Sequence, residues 1–237
     1  MKKYLFILIF LFIGVEAQAQ VLISLLLGDK LNTGQIEFGL EGGYNWSKIN
    51  GMDSDKYFSK WNLGFYFDIR IKNSWYINTG VLVKSNLGTG NLSENDLAFL
   101  KADTYDAEGE YSQVTSDFLV PILIKYRFKS NFFVIAGPHL GLLYNGWVEF
   151  NSDEDGKEAK IKEYNRDMFR YIDAGVMVGF GYKLHHKNDH GMSFTFKYYY
   201  GFVNVYKDRS GTNNRALFLT MTIPIGANKN IEDLDEE

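Results

Sequence analysis

The chain has 237 residues, 46% hydrophobic and 23% charged, which is a globular composition and not a disordered one. Lys+Arg 25 against Asp+Glu 29 gives a net charge of −4, and without a basic surplus nucleic acid is excluded as a partner. Cysteine is absent, which removes disulfides, thiolate metal sites and a cysteine nucleophile, while 19 Phe, 16 Tyr and 4 Trp make the chain unusually aromatic.

The N-terminus has the order of an export signal: Lys2 and Lys3, an apolar run at 4–15, then Ala17-Gln18-Ala19 as a cleavage site. The apolar run is shorter than the roughly 20 residues that a spanning helix needs, and no later run approaches that length. The expected organisation is a signal peptide at 1–19, a periplasmic N-terminal segment at 20–33, a β-barrel at 34–226 and an acidic tail at 227–237. Within the second of these, 21–27 is apolar and reads as a short segment packed at the periplasmic mouth.

From residue 35 onward the dominant signal is alternation, the period of a strand with one apolar face. In 35–46, Ile36, Phe38, Leu40, Tyr44 and Trp46 oppose Glu37, Gly39, Glu41, Gly43 and Asn45. In 60–71, Trp61, Leu63, Phe65, Phe67 and Ile69 oppose Lys60, Asn62, Gly64, Asp68 and Arg70. The run 75–84 sets Trp75, Ile77, Val81 and Val83 against Asn78, Gly80, Leu82 and Lys84. Runs at 117–128, 132–144, 171–184, 192–205 and 216–225 follow the same rule. These are eight strands of about ten residues or more, where globular strands average about 5–6 and a tilted membrane strand needs about 9–11. Short connections at 72–74, 129–131 and 185–191 alternate with long polar ones at 47–59, 85–116, 145–170 and 206–215. That is the layout of short periplasmic turns and long outside loops. Acidic clusters in two of the long loops (Glu94, Asp96, Asp103, Asp106, Glu108 and Glu110; then Asp153, Glu154, Asp155 and Glu158) read as solvated, mobile surface, with divalent-ion bridging to lipopolysaccharide as the sharper alternative.

Alternation alone does not say which face points outward. Glycines on the polar face suit the narrow interior of an eight-stranded barrel, and the apolar face ends in aromatics at both margins. Trp75, Phe128, Phe132 and Tyr182 lie near the short turns; Tyr44, Trp46, Trp61, Tyr144 and Phe202 lie near the long loops. They predict two interfacial girdles, and therefore an all-β, eight-stranded, antiparallel up-and-down transmembrane barrel contacting outer-membrane lipid. The polar face becomes the lumen, with Glu37, Glu41, Asp68, Asp117 and Asp173 facing Lys60, Arg70, Lys84, Lys125, Arg127, Lys183 and Lys197. An ion-pair network of these residues is expected to plug the interior.

His139 falls on the lumenal side, where a carboxylate is expected to satisfy it; a hydrolytic triad with a Ser and an Asp is the alternative. His185, His186 and His190, in HHKNDH, read as a hydrophilic periplasmic turn, with metal binding as the alternative. No nucleophile elbow, phosphate loop or HExxH is present, and no catalytic, cofactor or metal residue is assigned.

The stretches "FGLEGGYNWS" at 38–47, "DFLVPILIKYRF" at 117–128, "FFVIAGPHLGLLY" at 132–144 and "KYYYGFVNV" at 197–205 resemble the PorT-like family of outer-membrane β-barrel domains. Val120 stands where that family usually has Ile. Ile225, followed by a tail, stands where many outer-membrane proteins end on an aromatic. The resemblance covers about 34–226 and implies an eight-stranded barrel in the outer membrane of a Gram-negative bacterium; some members serve protein secretion. The chain is thus expected to be a monomer with a structural or interaction role through its outside loops. A secretion-machine accessory, with a protein partner at the loops or the N-terminal segment, is the main alternative. A lipid A-modifying enzyme using His139 and a narrow pore are the others.

Overall fold

A computed structural model describes residues 35–154, 157–184 and 191–225. The stretches expected as an export signal, a periplasmic segment at 20–33 and an acidic tail, together with His185, His186 and His190, lie outside the described residues.

Among the described residues there are nine strands: β1 (Ile36–Asn50), β2 (Lys56–Lys72), β3 (Trp75–Gly90), β4 (Glu110–Arg127), β5 (Phe132–Glu154), β6 (Lys157–Tyr164), β7 (Ile172–Lys183), β8 (Ser193–Gly201) and β9 (Asn213–Pro224). Every pairing between them is antiparallel. Eight strands close a ring in the order β4-β3-β2-β1-β9-β8-β7-β5, shut by the β4–β5 pairing. β6 stands outside the ring and pairs only with the distal part of β5. Closure gives each wall strand a partner on both sides, the only way a sheet can cross hydrocarbon, where an unpaired amide has no water to turn to.

The strands run further than the alternation suggested. β5 is 23 residues long and β4 is 18, so the stretch expected as a loop at 145–170 is largely strand, and the one at 85–116 is strand at both ends with a helix between them. Alternation marks where one face meets lipid; it carries no signal for a strand continuing above the membrane with both faces covered. A short helix, α1 (Glu94–Leu100), and a 3₁₀ turn at Arg166–Met168 complete the long-loop end.

The wall residues sort by face as the apolar rows required. Phe180 is 58% exposed and Tyr44 56%, with Leu140, Val178, Phe196 and Leu219 also on the outside. The aromatic lumenal side chains need glycine beside them. A Cβ on Gly39 would lie 2.6 Å from the Tyr66 ring, one on Gly175 2.7 Å from Tyr199, and one on Gly181 2.4 Å from Phe133. Each ring lies across a neighbouring strand where only hydrogen leaves room.

Candidate functional site: lumen, aromatic margins and long-loop cap

The lumen near the short turns is built from three ion pairs that each join strands not adjacent in the sheet. Lys183 Nζ is 2.7 Å from Glu37 Oε2, and Tyr66 donates to the other oxygen of Glu37 at 2.9 Å. Lys125 pairs with Asp68, whose second oxygen accepts from Asn78 Nδ2 at 2.7 Å. Lys197 pairs with Glu41. A cavity of about 10 Å³ remains between Glu41, Tyr66, Asp68, Lys125 and Lys197, about the room for a single water molecule.

Toward the long loops the pattern changes. Asp117 accepts from Thr115 Oγ1 at 2.6 Å, and Asp173 from Asn214 Nδ2 at 2.9 Å. Neither carboxylate has a lysine or arginine partner among the described residues. His139 is 1% exposed and its ring lies 4.5 Å from that of Tyr199. No carboxylate satisfies it: neither ring nitrogen has a hydrogen-bond partner among the described residues.

Four of the expected lumenal cations lie elsewhere. Lys84 is exposed, its ammonium 4.8 Å from the centre of the outward Trp61 ring. The cause is a register shift between Leu82 and Ser85, which turns Ser85 inward and Lys84 outward. Arg70 is exposed at the short-turn rim and donates to Asn73 O in the adjoining turn at 3.1 Å. Arg127 is half-buried at the same rim, 5.4 Å over Tyr76. Lys60 reaches the cap, 3.9 Å from Glu149. The lumen is also greasier than a polar face implies. Leu82, Leu119, Leu123, Phe133, Ile135, Met177 and Phe218 form a buried cluster inside it. In β4, both Leu119 and Leu123 alternate with outward Phe118, Ile122 and Ile124, so an all-apolar stretch concealed two inward positions.

The residues expected as girdles lie at the two ends of the exposed apolar wall. Near the short turns, Trp75 meets Tyr126 at 4.8 Å, Tyr126 meets Phe128 at 4.9 Å, and Phe132 meets Tyr182 at 4.9 Å. Near the long loops, Tyr44 pairs across the strands with Trp61, Tyr144 packs on Phe118 at 5.2 Å, and Phe202 packs on Tyr200 at 5.6 Å. Trp46 is on the same outer face.

Above them the four long connections are a folded cap. Its core joins Ile49, Met52, Leu92, Leu97, Leu100, Val148, Phe169, Val205 and Tyr206. Asp96 ties three connections together. It is fully buried, completes a capping box with Ser93, and accepts from the backbone N–H of Asp53 at 3.0 Å and of Ser54 at 2.9 Å. Arg209 NH1 lies 3.5 Å from it. Asp96 is therefore no solvated surface acid. Its signal was in the sequence: Ser93-Glu94-Asn95-Asp96 followed by Leu97 has the spacing of a helix start. Burial first, then the Asp96 charge, pushes the Tyr206 hydroxyl above the usual phenol range, with Arg209 opposing. Beneath the cap β1 and β3 touch across the mouth. Asn45 Nδ2 donates to Asn86 O at 3.1 Å, and the Gly88 N–H donates to Ser47 Oγ at 2.9 Å.

The β5–β6 hairpin rises beside this core. Glu149 is buried against Lys160 (2.8 Å), Trp147 Nε1 (3.2 Å) and Asn151 Nδ2 (3.3 Å). Burial raises its pKa, but those donors outweigh it and hold the carboxyl below the usual range. Tyr105 donates to Glu163 at 2.9 Å, which pushes its phenol up to about 12.

A closed antiparallel ring with a lipid-facing apolar wall and a filled lumen defines a transmembrane β-barrel. The outer membrane protein beta-barrel domain matches residues 18–207, and the chain belongs to that family. It is a protein of the outer membrane of Gram-negative bacteria. No curated protein matches it. Among solved structures it is similar to Ail of Yersinia pestis, at 12% identity and TM-score 0.45, covering 81% of this chain and 99% of that one. Neisserial surface protein A matches at 12% and 0.39, covering 79% and 96%. OprG of Pseudomonas aeruginosa matches at 16% and 0.29, covering 83% and 96%.

Proposed function

We propose that this barrel neither catalyses nor conducts, and that it works as a membrane-anchored platform presenting the extracellular cap to a partner. The observation that carries this reading is the cap itself. Four connections share one apolar core and three of them one buried carboxylate, so they offer a fixed surface whose shape needs no ordering on contact. The filled lumen supports the non-conducting half: three ion pairs and a buried apolar cluster occupy it. His139, sealed against Tyr199 inside the wall, has no access to lipid, which supports the non-catalytic half. The PorT-like motifs favour a secretion component as the partner class.

The test is crosslinking on intact cells followed by affinity capture of the full chain and of Asp96→Ala. The expected result is a stoichiometric partner recovered with the wild type and lost with the variant, whose barrel keeps its heat-modifiable gel mobility. Recovery of no stoichiometric partner overturns the platform. Single-channel steps in planar bilayers would overturn the closed lumen, and altered lipid A mass spectra on deletion would overturn the absence of catalysis.

A further inference from the structure

We propose a binding site for a phosphorylated glycolipid headgroup on the outer wall of the barrel, at the cation pair Lys48 and Arg215. The two residues are directly opposite each other across β1 and β9, a placement that puts Cα atoms about 4.5–5.5 Å apart. Like charges in that position repel. Arg215 has no acidic partner among the described residues; it donates to Asn213 Oδ1 at 3.0 Å and approaches Tyr198 OH at 3.5 Å. Lys48 has only Asp55, at 3.1 Å, whose side chain is 93% exposed. An exposed ion pair of that kind is weak and exchanges readily.

Aromatic rings bound the pair on both sides. The Arg215 guanidinium lies 3.7 Å from the centre of the Tyr200 ring, and Lys48 Nζ lies 5.5 Å from that of Tyr57. Such contacts hold the cationic groups in place without neutralising them. The row Tyr57, Lys48, Arg215, Tyr200 crosses four consecutive strands, β2-β1-β9-β8.

Its height on the wall selects the ligand. Two residues closer to the membrane centre on β1 and β9, on the same face, stand Trp46 and Leu217, then Tyr44 and Leu219. The cations therefore begin where the long-loop girdle ends. A lipid whose chains lie along Leu219, Tyr44 and Trp46 would bring its headgroup phosphate to the pair, where Arg215 can offer N–H groups in a fork and Lys48 a second charge. A free anion would gain nothing from the greasy row below. We therefore assign the site to lipid A phosphate of the outer leaflet and not to soluble phosphate.

The test uses the full chain refolded in detergent micelles, titrated with hexa-acylated bisphosphoryl lipid A and read by native mass spectrometry. One lipid should be retained per chain, and the doubly substituted Lys48→Gln, Arg215→Gln form should bind about tenfold more weakly, the loss of roughly one charge-assisted contact. Asp55→Asn removes the competing carboxylate and should tighten binding, a gain that misfolding cannot imitate. Lys207→Gln, which removes a cation stacked over Tyr171 elsewhere on the rim, should change nothing. Equal binding by the double variant and the wild type overturns the site. So does equal binding of lipid A stripped of its phosphates, or an equal loss with Lys207→Gln. Displacement of lipid A by inorganic phosphate at matching concentration overturns the lipid assignment.

Discussion

The two halves of the lumen solve the same problem differently. Toward the short turns each acid has its own lysine: Glu37 with Lys183, Asp68 with Lys125, Glu41 with Lys197. Toward the cap, Asp117 and Asp173 are met by Thr115 and Asn214, and His139 packs on Tyr199. A buried pair costs much of its Coulomb gain in lost hydration, but it penalises heavily any state that separates it. The lower half therefore locks strands together across the interior, while the upper half merely tolerates its acids.

That difference predicts opposite responses to neutralising substitutions. Lys125→Met strands Asp68 without a counter-charge and should cost about 3–5 kcal/mol in urea unfolding of the reconstituted barrel. Adding Asp68→Asn should recover most of it. A third kind of buried carboxylate extends the contrast: Asp96, satisfied by backbone donors. Asp96→Ala should cost roughly 2 kcal/mol, and should show in protease sensitivity of the cap while the wall stays protected. Asp117→Asn should be stabilising by about 1 kcal/mol, because it removes a charge and keeps an acceptor for Thr115. If Asp117→Asn destabilised as much as Lys125→Met, the two halves would be alike and the distinction would fall.

The smallest effect concerns pH. Glu149 has a folded-state pKa below that of the unfolded chain, so its contribution is present at neutral pH and is lost as the pH falls through the folded value. Hydrogen exchange in the β5–β6 hairpin should therefore accelerate below the usual glutamate range, and Glu149→Gln should abolish that dependence. Amides of the membrane-spanning β7 should not respond.

The wall was legible because its signal repeats. Outward positions within the apolar band must satisfy hydrocarbon, and alternation records that demand residue by residue. The lumen was legible only where parity held unbroken. Glu37, Glu41, Asp68, Lys125, Lys183 and Lys197 could be assigned by counting, whereas Lys84 lies past a bulge that counting does not register. Leu119 and Leu123 could not be told from their lipid-facing neighbours, since both surroundings accept leucine. The cap was hidden for a different reason. The extensions of β3, β4 and β5 are covered on both sides, so the two-residue period fades there, and the cap's organising residue, Asp96, is an acid that charge alone makes look wet. The capping-box spacing at Ser93 was the one local cue.

Closing the ring also fixes where adhesion between copies could start. Among the described residues β6 pairs on one side only, leaving a row of amides and carbonyls facing outward above the bilayer. Such a margin invites a neighbouring molecule to stack strand upon strand. Lys160 and Lys162 are exposed along it, and two ammonium groups brought against their own images would repel, so crowding in the plane of the membrane need not end in fibrous arrays.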